Sequence, residues 1–148
     1  DLVFGYAVHS TVFHLSYRFL DKNQARLVQI ACGLALHVAV TSVSCIVVLS
    51  VFATFTIAVS TVWRQQIVAW VLCIAFILQA TEYVPFTHMD FRYYREFNMY
   101  LYGAIKILNV CITLSRRRDR PFDIDWLLEI LQYMLYLPYS MALIVIYE

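Results

Sequence analysis

The longest charge-free stretch of the chain runs from Leu27 to Trp63 and contains no Asp, Glu, Lys or Arg. A single α-helix over this stretch would be roughly 55 Å long, because each helical residue adds about 1.5 Å. The hydrocarbon core of a bilayer is only about 30 Å thick. The stretch is therefore too long for one membrane crossing and predicts two, which we divide at the most polar residues inside it, 41–44.

Apolar segments alternate with short polar connections along the rest of the chain. A lone strand leaves its backbone groups unpaired in lipid, so even the segments rich in Val, Ile and Thr predict helices. The last segment contains Pro138, which interrupts helical hydrogen bonding and predicts a broken or re-entrant element. The predicted segments are 2–20, 27–43, 45–62, 67–80, 97–114 and 126–147. The pattern predicts an all-α, multi-pass transmembrane bundle of about five to six segments, with 1–148 as one transmembrane region.

Polar residues predict how the segments are joined. Residues 21–26 are expected to form a polar turn, and residues 82–96 an aromatic-rich loop at the level of the lipid head groups. Asp123 and Asp125 precede the last segment and are candidate N-caps. Because the chain starts at Asp1 rather than Met and stops at Glu148 directly after an apolar run, we expect an interior piece of a larger domain, incomplete at both ends.

Composition supports the membrane assignment and excludes some partners. Hydrophobic residues make up 62% of the chain and charged residues 14%, whereas soluble domains carry roughly 25% charged residues. The net charge of +1 and the lack of a basic patch interleaved with aromatic residues predict no nucleic-acid partner. The four Cys all fall in apolar stretches, which is typical of buried small hydrophobic residues.

Basic connections alternate with connections that are not basic along the chain. The connections at 18–26, 64 and 116–120 are basic, whereas 41–45 is uncharged and 82–96 is slightly acidic. By the positive-inside rule, the basic connections are predicted on the cytosolic side and the others on the lumenal or outer side.

The fifth segment carries the most informative polar face. Tyr102, Lys106 and Asn109 recur at steps of three and four residues, so they share one side of a helix. A lysine in the middle of a bilayer costs at least ~2.5 kcal/mol and should face protein or water. Two interpretations remain open for Lys106: it lines a polar substrate tunnel together with Tyr102 and Asn109, or it makes a structural contact between helices.

The other candidate residues point to no reaction by themselves. His37 is either a catalytic membrane histidine or a neutral, hydrogen-bonded structural one. The spacing of His9 and His14, and the pair His88 and Asp90, do not provide a metal site, so no metal is predicted. The basic cluster on the predicted cytosolic face is either an orientation signal that contacts anionic lipid or a contact for the phosphates of an acyl-CoA. This cluster consists of Arg116, Arg117, Arg118 and Arg120.

From Tyr94-Arg95-Glu96-Phe97 onward, the chain resembles the hedgehog acyltransferases, a branch of the membrane-bound O-acyltransferases (MBOAT). A Tyr-rich approach leads into a crossing with a central basic residue, which is Lys106 where the family is expected to have Arg. A Tyr-rich run ending in proline follows at 131–138. The earlier segments also occur in the family's order, so the resemblance spans nearly the whole chain. The chain departs from the family in having no Gly-Pro after Pro138.

The resemblance implies a function for the parent protein. It would transfer a fatty acyl group from acyl-CoA to a secreted signalling protein at the endoplasmic reticulum membrane, as protein-cysteine N-palmitoyltransferases do. The family's membrane histidine lies in a Trp-His-Gly context that does not occur here. We therefore assign no catalytic residue and no cofactor to this chain, with acyl-CoA as a co-substrate of the parent. The alternatives are part of a transporter or channel lined by the 95–116 face, or a non-enzymatic multi-pass membrane protein.

Overall fold

A computed structural model describes residues 2–83, 91–117 and 123–136. These residues form six α-helices and contain no strand, which confirms the all-α prediction. The helices are α1 (Leu2–Phe19), α2 (Lys22–Val40), α3 (Val43–Trp63), α4 (Gln66–Tyr83), α5 (Phe91–Arg116) and α6 (Ile124–Leu135).

Two predicted features of the helix boundaries are present in the structure. The charge-free stretch divides between Val40 and Val43, as predicted, and the Ser42 hydroxyl caps α3 by accepting from the Cys45 amide. Asp123 caps α6, as predicted, because its carboxylate accepts the Trp126 amide at 2.8 Å. Asp125 lies in the first turn of α6, where an acidic side chain favours the positive end of the helix dipole.

Two predicted connections were wrong. Residues 22–26 are not a turn but the first part of α2. The side chain of Arg26 is buried against α6, and this contact stabilises helical structure at the start of α2. The predicted loop at 82–96 is shortened from both sides, because α4 continues to Tyr83 and α5 begins at Phe91. Bilayer thickness limits only the apolar part of a helix, so the helix itself can extend into polar sequence. The predicted break at Pro138 lies outside the described residues.

The helices pack in two groups that meet along α5 and α6. In one group α5 packs against α3 and α4, with Tyr100, Ile107 and Cys111 of α5 buried in their shared core. In the other group α2 packs between α1 and α6. The groups are joined where Val110 and Leu114 of α5 form a hydrophobic cluster with Trp126 and Ile130 of α6.

The outer surface of the helices is unusually apolar, and several polar side chains are buried. Large hydrophobic side chains are exposed, for example Val51 of α3 at 66% exposure and Leu78 of α4 at 71%. Buried beside the hydrophobic clusters are hydrogen-bonding or charged side chains such as His37 at 0% exposure and Lys106 at 4%. Two of the described helices, Val43–Trp63 and the part Arg95–Arg116 of α5, are long and apolar enough to cross a membrane. These features are typical of a bundle whose solvent is lipid.

One glycine lets α6 approach α2 closely. A Cβ atom added at Gly33 would clash with the backbone oxygen of Leu135, and only a movement of the α6 backbone could relieve the clash. Close backbone approach through small residues is a common way of packing helices in membranes.

We expect Gly33→Ala to destabilise the chain by roughly 1–3 kcal/mol, the usual cost of overpacking. Gly103→Ala is the matched control, because its added Cβ would meet only the flexible side chain of Leu49. Unfolding of both variants in detergent, monitored by circular dichroism, measures the difference. Equal unfolding midpoints for Gly33→Ala and Gly103→Ala would contradict the close α2–α6 contact.

Candidate functional site

The ammonium group of Lys106 lies at the C-terminal end of α6. Its Nζ donates to the backbone oxygens of Tyr133 at 3.0 Å, Met134 at 3.2 Å and Tyr136 at 3.4 Å. An ammonium carries three hydrogens, and the last carbonyls of a helix have no partner within it. Lys106 therefore caps α6 from a neighbouring helix, 27 to 30 residues earlier in the chain.

The sequence explains why α6 ends with open carbonyls. Pro138 has no N–H, so it cannot donate the bond that a continuing helix would give to the carbonyl four residues earlier, that of Met134. Proline also disfavours the helical conformation of the residue before it. Tyr136 has already left the helix, with φ −72° and ψ 103°. The C-terminal end of a helix carries partial negative charge, which a cation stabilises.

Aromatic rings enclose this ion–dipole contact. The Lys106 ammonium lies 5.3 Å from the centre of the Tyr133 ring, within the range of a cation–π interaction. Tyr136 packs against two rings of α1, with ring centres 4.8 Å from that of His9 and 5.6 Å from that of Phe13. The rings exclude solvent, so the interaction between the ammonium and the carbonyl groups operates in a medium of low polarity.

His37 of α2 lies close to the site formed by Lys106 and the end of α6. Its Nδ1 lies 2.6 Å from the Gly33 carbonyl oxygen. A carbonyl can only accept, so Nδ1 carries the hydrogen and donates. Gly33 thus provides both the close approach to Leu135 and the acceptor for His37. This geometry favours the structural interpretation of His37 over the catalytic one.

Of the predicted tunnel residues, Lys106 and Asn109 face α6. The side chain of Asn109 is hydrogen-bonded to the Tyr133 side chain, and Tyr102 lies near Tyr6 of α1. The polar face of α5 therefore lies in the seam between α1, α5 and α6. An apolar cavity of about 720 Å³ lies beside this seam and is lined in part by Met134 and Leu135 of α6, but none of the three predicted residues lines it.

A second polar network joins α2 to α6 and was not predicted. Arg26 makes ion pairs with Glu129 at 3.3 Å and with Asp125 at 3.9 Å. One turn further, Gln132 donates to both Gln29 and the hydroxyl of Tyr17. Polar residues at i, i+3 spacing on both helices are the signal that could have revealed it.

The basic connections meet at one end of the described structure. The pair Arg26–Asp125 brings the start of α2 next to the start of α6. Ile57, near the end of α3, packs on the cluster that contains Leu114 and Trp126. Arg116 ends α5, and Arg117 follows it; both are exposed. Arg118 and Arg120 of the predicted cluster lie outside the described residues.

Metal ligation has no structural basis in residues 2–83, 91–117 and 123–136, where no group of three or more His, Cys, Asp or Glu side chains could hold an ion. The four Cys are free thiols in apolar surroundings. The chain matches no protein-family model, no curated protein and no solved structure. The defining feature of the site is a buried cation, Lys106, that is bound by the end of a helix.

Replacement of Lys106 by Met should loosen α6 selectively. Met keeps an unbranched apolar stem but cannot donate, so buried carbonyls lose their partner at a cost of about 1–3 kcal/mol. Faster hydrogen exchange of the amides of Gln132–Leu135 in detergent should reveal the loss. Lys22→Met, which changes an exposed lysine of α2, is the control. Unaltered exchange in α6 of the Lys106→Met variant would exclude the capping role.

Proposed function

We propose that the chain belongs to a multi-pass integral membrane protein in which five to six of its segments cross the bilayer. Beyond the two long apolar helices, support comes from the exposed faces of α1 and α4. Phe4 is 70% exposed and Ile67 is 67% exposed. Apolar surface of this kind stabilises a protein in lipid but not in water.

The positive-inside rule gives this bundle its proposed orientation. The basic connections near Arg18–Arg26, Arg64 and Arg116 would face the cytosol, and the 41–42 connection the lumen of the endoplasmic reticulum. Support comes from the helix contacts that bring the basic connections to one end. A bundle with its arginines at both ends would give no such orientation.

Cysteine labelling tests this topology directly. In a chain without native Cys, we expect Gln24→Cys, Gln65→Cys and Arg117→Cys to react with an impermeant maleimide from one side of sealed microsomes. Ser44→Cys should react only after permeabilisation, or from the opposite side. All four positions are exposed at helix ends, so differences in burial do not confound the result. Labelling of Ser44→Cys from the same side as the other three would refute the multi-pass arrangement.

For the parent protein, we propose transfer of a fatty acyl group, such as palmitoyl, from acyl-CoA to a secreted signalling protein. One observation carries this proposal. The two features that resemble the hedgehog acyltransferases, a central basic residue in a crossing and a Tyr-rich run before proline, are far apart in sequence. In the structure they meet in the contacts of Lys106 with Tyr133, Met134 and Tyr136. The contact between these two features supports the proposal that the parent protein has the function of that family.

Within such an enzyme, the described residues would form scaffold rather than catalyst. In the proposed bundle, Lys106 would hold the end of α6 at mid-membrane depth and thereby position the chain that follows it. The basic end could meet the phosphates of acyl-CoA through Arg116 and Arg117. No Trp-His-Gly histidine occurs in the sequence, so the 148-residue chain alone is expected to transfer no acyl group.

A transporter or channel is the second candidate function. A broken helix whose terminal carbonyls face a polar centre is the arrangement that secondary transporters use to coordinate cations. In this chain the carbonyls of α6 bind Lys106 instead. Under this interpretation, a transported cation would compete with the Lys106 ammonium for the same oxygens.

Two assays separate acyl transfer from transport. Microsomes that contain the complete gene product should transfer radiolabelled palmitate from palmitoyl-CoA to the N-terminus of a hedgehog-type acceptor peptide. Lys106→Met should lower this transfer, and Lys22→Met should not. A reading frame without a Trp-His-Gly histidine, or the absence of transfer, would refute the acyltransferase proposal. Uptake of a cation by proteoliposomes that Lys106→Met alters would favour the transporter.

A further inference from the structure

The apolar cavity of about 720 Å³ lies between α3 on one side and α2 and α6 on the other, with Met99 and Gly103 of α5 at its base. Its wall on α3 extends from Ile46 to Thr61. This part of α3 is roughly 22 Å long at the helical rise. One leaflet of a bilayer core is about half of 30 Å thick. The cavity is therefore long enough for a hydrocarbon chain that starts at one membrane surface.

Two of the three hydroxyl side chains in the cavity wall, those of Thr54 and Thr61, have acceptors within α3. The Thr54 hydroxyl donates to the Ser50 carbonyl oxygen at 2.8 Å, and that of Thr61 donates to the Ala58 carbonyl oxygen at 2.7 Å. These bonds direct the polar atoms toward the helix backbone. Apart from Ser50, the remaining lining is apolar, with residues such as Leu34, Leu131 and Met134. The wall therefore selects an apolar occupant and offers little to a polar one.

A basic residue lies at the end of the cavity that belongs to the basic side of the bundle. Arg64 ends α3 in the left-handed conformation, with φ 47°, which side chains other than glycine rarely adopt. Its Nε donates to the carbonyl oxygen of Thr61, a residue of the cavity wall, at 3.4 Å. This conformation holds an exposed guanidinium directly beyond the cavity.

The charges around this end favour an anion. The basic residues here are Arg18, Lys22, Arg26, Arg64, Arg116 and Arg117, and the acidic ones are Asp21, Asp123, Asp125 and Glu129. Asp125 and Glu129 share one partner, Arg26. Six basic and four acidic residues leave a net charge of +2 among the described residues at this end. A phosphate group at this level therefore meets a positive potential, with Arg64 nearest to the cavity.

We propose that this cavity binds one acyl chain of an anionic glycerophospholipid from the leaflet at the basic end, with its phosphate at Arg64. The inference rests on the proposed membrane insertion but not on acyl transfer. The lipid fills the gap that the sparse contacts between α2 and α3 leave open, and thereby ties α3 to α2 and α6.

Native mass spectrometry of the detergent-purified 148-residue chain tests this proposal, with phosphatidylglycerol and phosphatidylcholine of identical acyl chains as probes. The unmodified chain should retain one phosphatidylglycerol in preference to phosphatidylcholine. Arg64→Gln should reduce that preference roughly fivefold, as expected for one arginine near the membrane surface, whereas Arg18→Gln should change it less.

Variants of the cavity wall separate the cavity from the outer surface of α3. Ala58→Phe and Ser50→Phe fill the cavity from two exposed lining positions and should abolish the retained lipid. Val51→Phe adds the same ring to the exposed face of α3 outside the lining and should leave it bound. Circular dichroism identifies the variants that retain their helical fold, and only these are compared.

Three results would overturn the lipid proposal. They are equal retention of the two lipids by the unmodified chain, equal retention by Ala58→Phe and Val51→Phe, and displacement of phosphatidylglycerol by equimolar palmitoyl-CoA. The last result would assign the cavity to the acyl donor. A negative lipid result leaves the cysteine-labelling pattern and the acyl-transfer assay unchanged, so it is distinguishable from failure of the proposed function.

Discussion

The rest of the structure depends on the hydrogen bonds between Lys106 and the end of α6. These bonds offset two free-energy costs, that of a buried ammonium and that of unpaired backbone carbonyls. A lysine at mid-membrane depth costs about 2.5–3.5 kcal/mol on insertion scales, and the unpaired carbonyls of a helix that ends inside lipid cost several kcal/mol each. Each group is the other's partner, at 3.0–3.4 Å. In the proposed transmembrane bundle, neither α5 nor α6 would be stable at mid-membrane depth alone, and together they join the two groups of helices.

Around this bond, polar contacts fix how the helices pack inside the bundle, and apolar side chains form its outer surface. Packing between lipid-exposed helices gains little from burial of hydrocarbon, so specificity must come from small residues and hydrogen bonds. In this chain Gly33 sets the distance between α2 and α6, and the contacts of Arg26 and Gln29 with α6 set their register. The contact between α2 and α3 is sparse, and it is there that the apolar cavity opens.

Much of the fold could be predicted from the sequence, because long charge-free runs in lipid leave the helix as the only choice. The division of Leu27–Trp63 and the Asp123 cap followed from local chemistry. The start of α2 could not be predicted, since Lys22–Arg26 appears polar until α6 provides carboxylates for Arg26. Lys106 was recognised as exceptional from its position, but its partners could not be. Backbone carbonyls have no sequence signature, and their availability depends on where α6 ends.

The most direct measurement is a double-mutant cycle between Lys106→Met and Pro138→Ala, with unfolding free energies measured in detergent. Alanine restores an N–H at position 138, which can donate to the Met134 carbonyl and replace part of what the lysine supplies. The account predicts that Lys106→Met destabilises the Pro138→Ala background less than the unmodified chain, by about 0.5–3 kcal/mol of coupling. Additive effects of the two substitutions would contradict the claim that Lys106 caps the C-terminal end of α6.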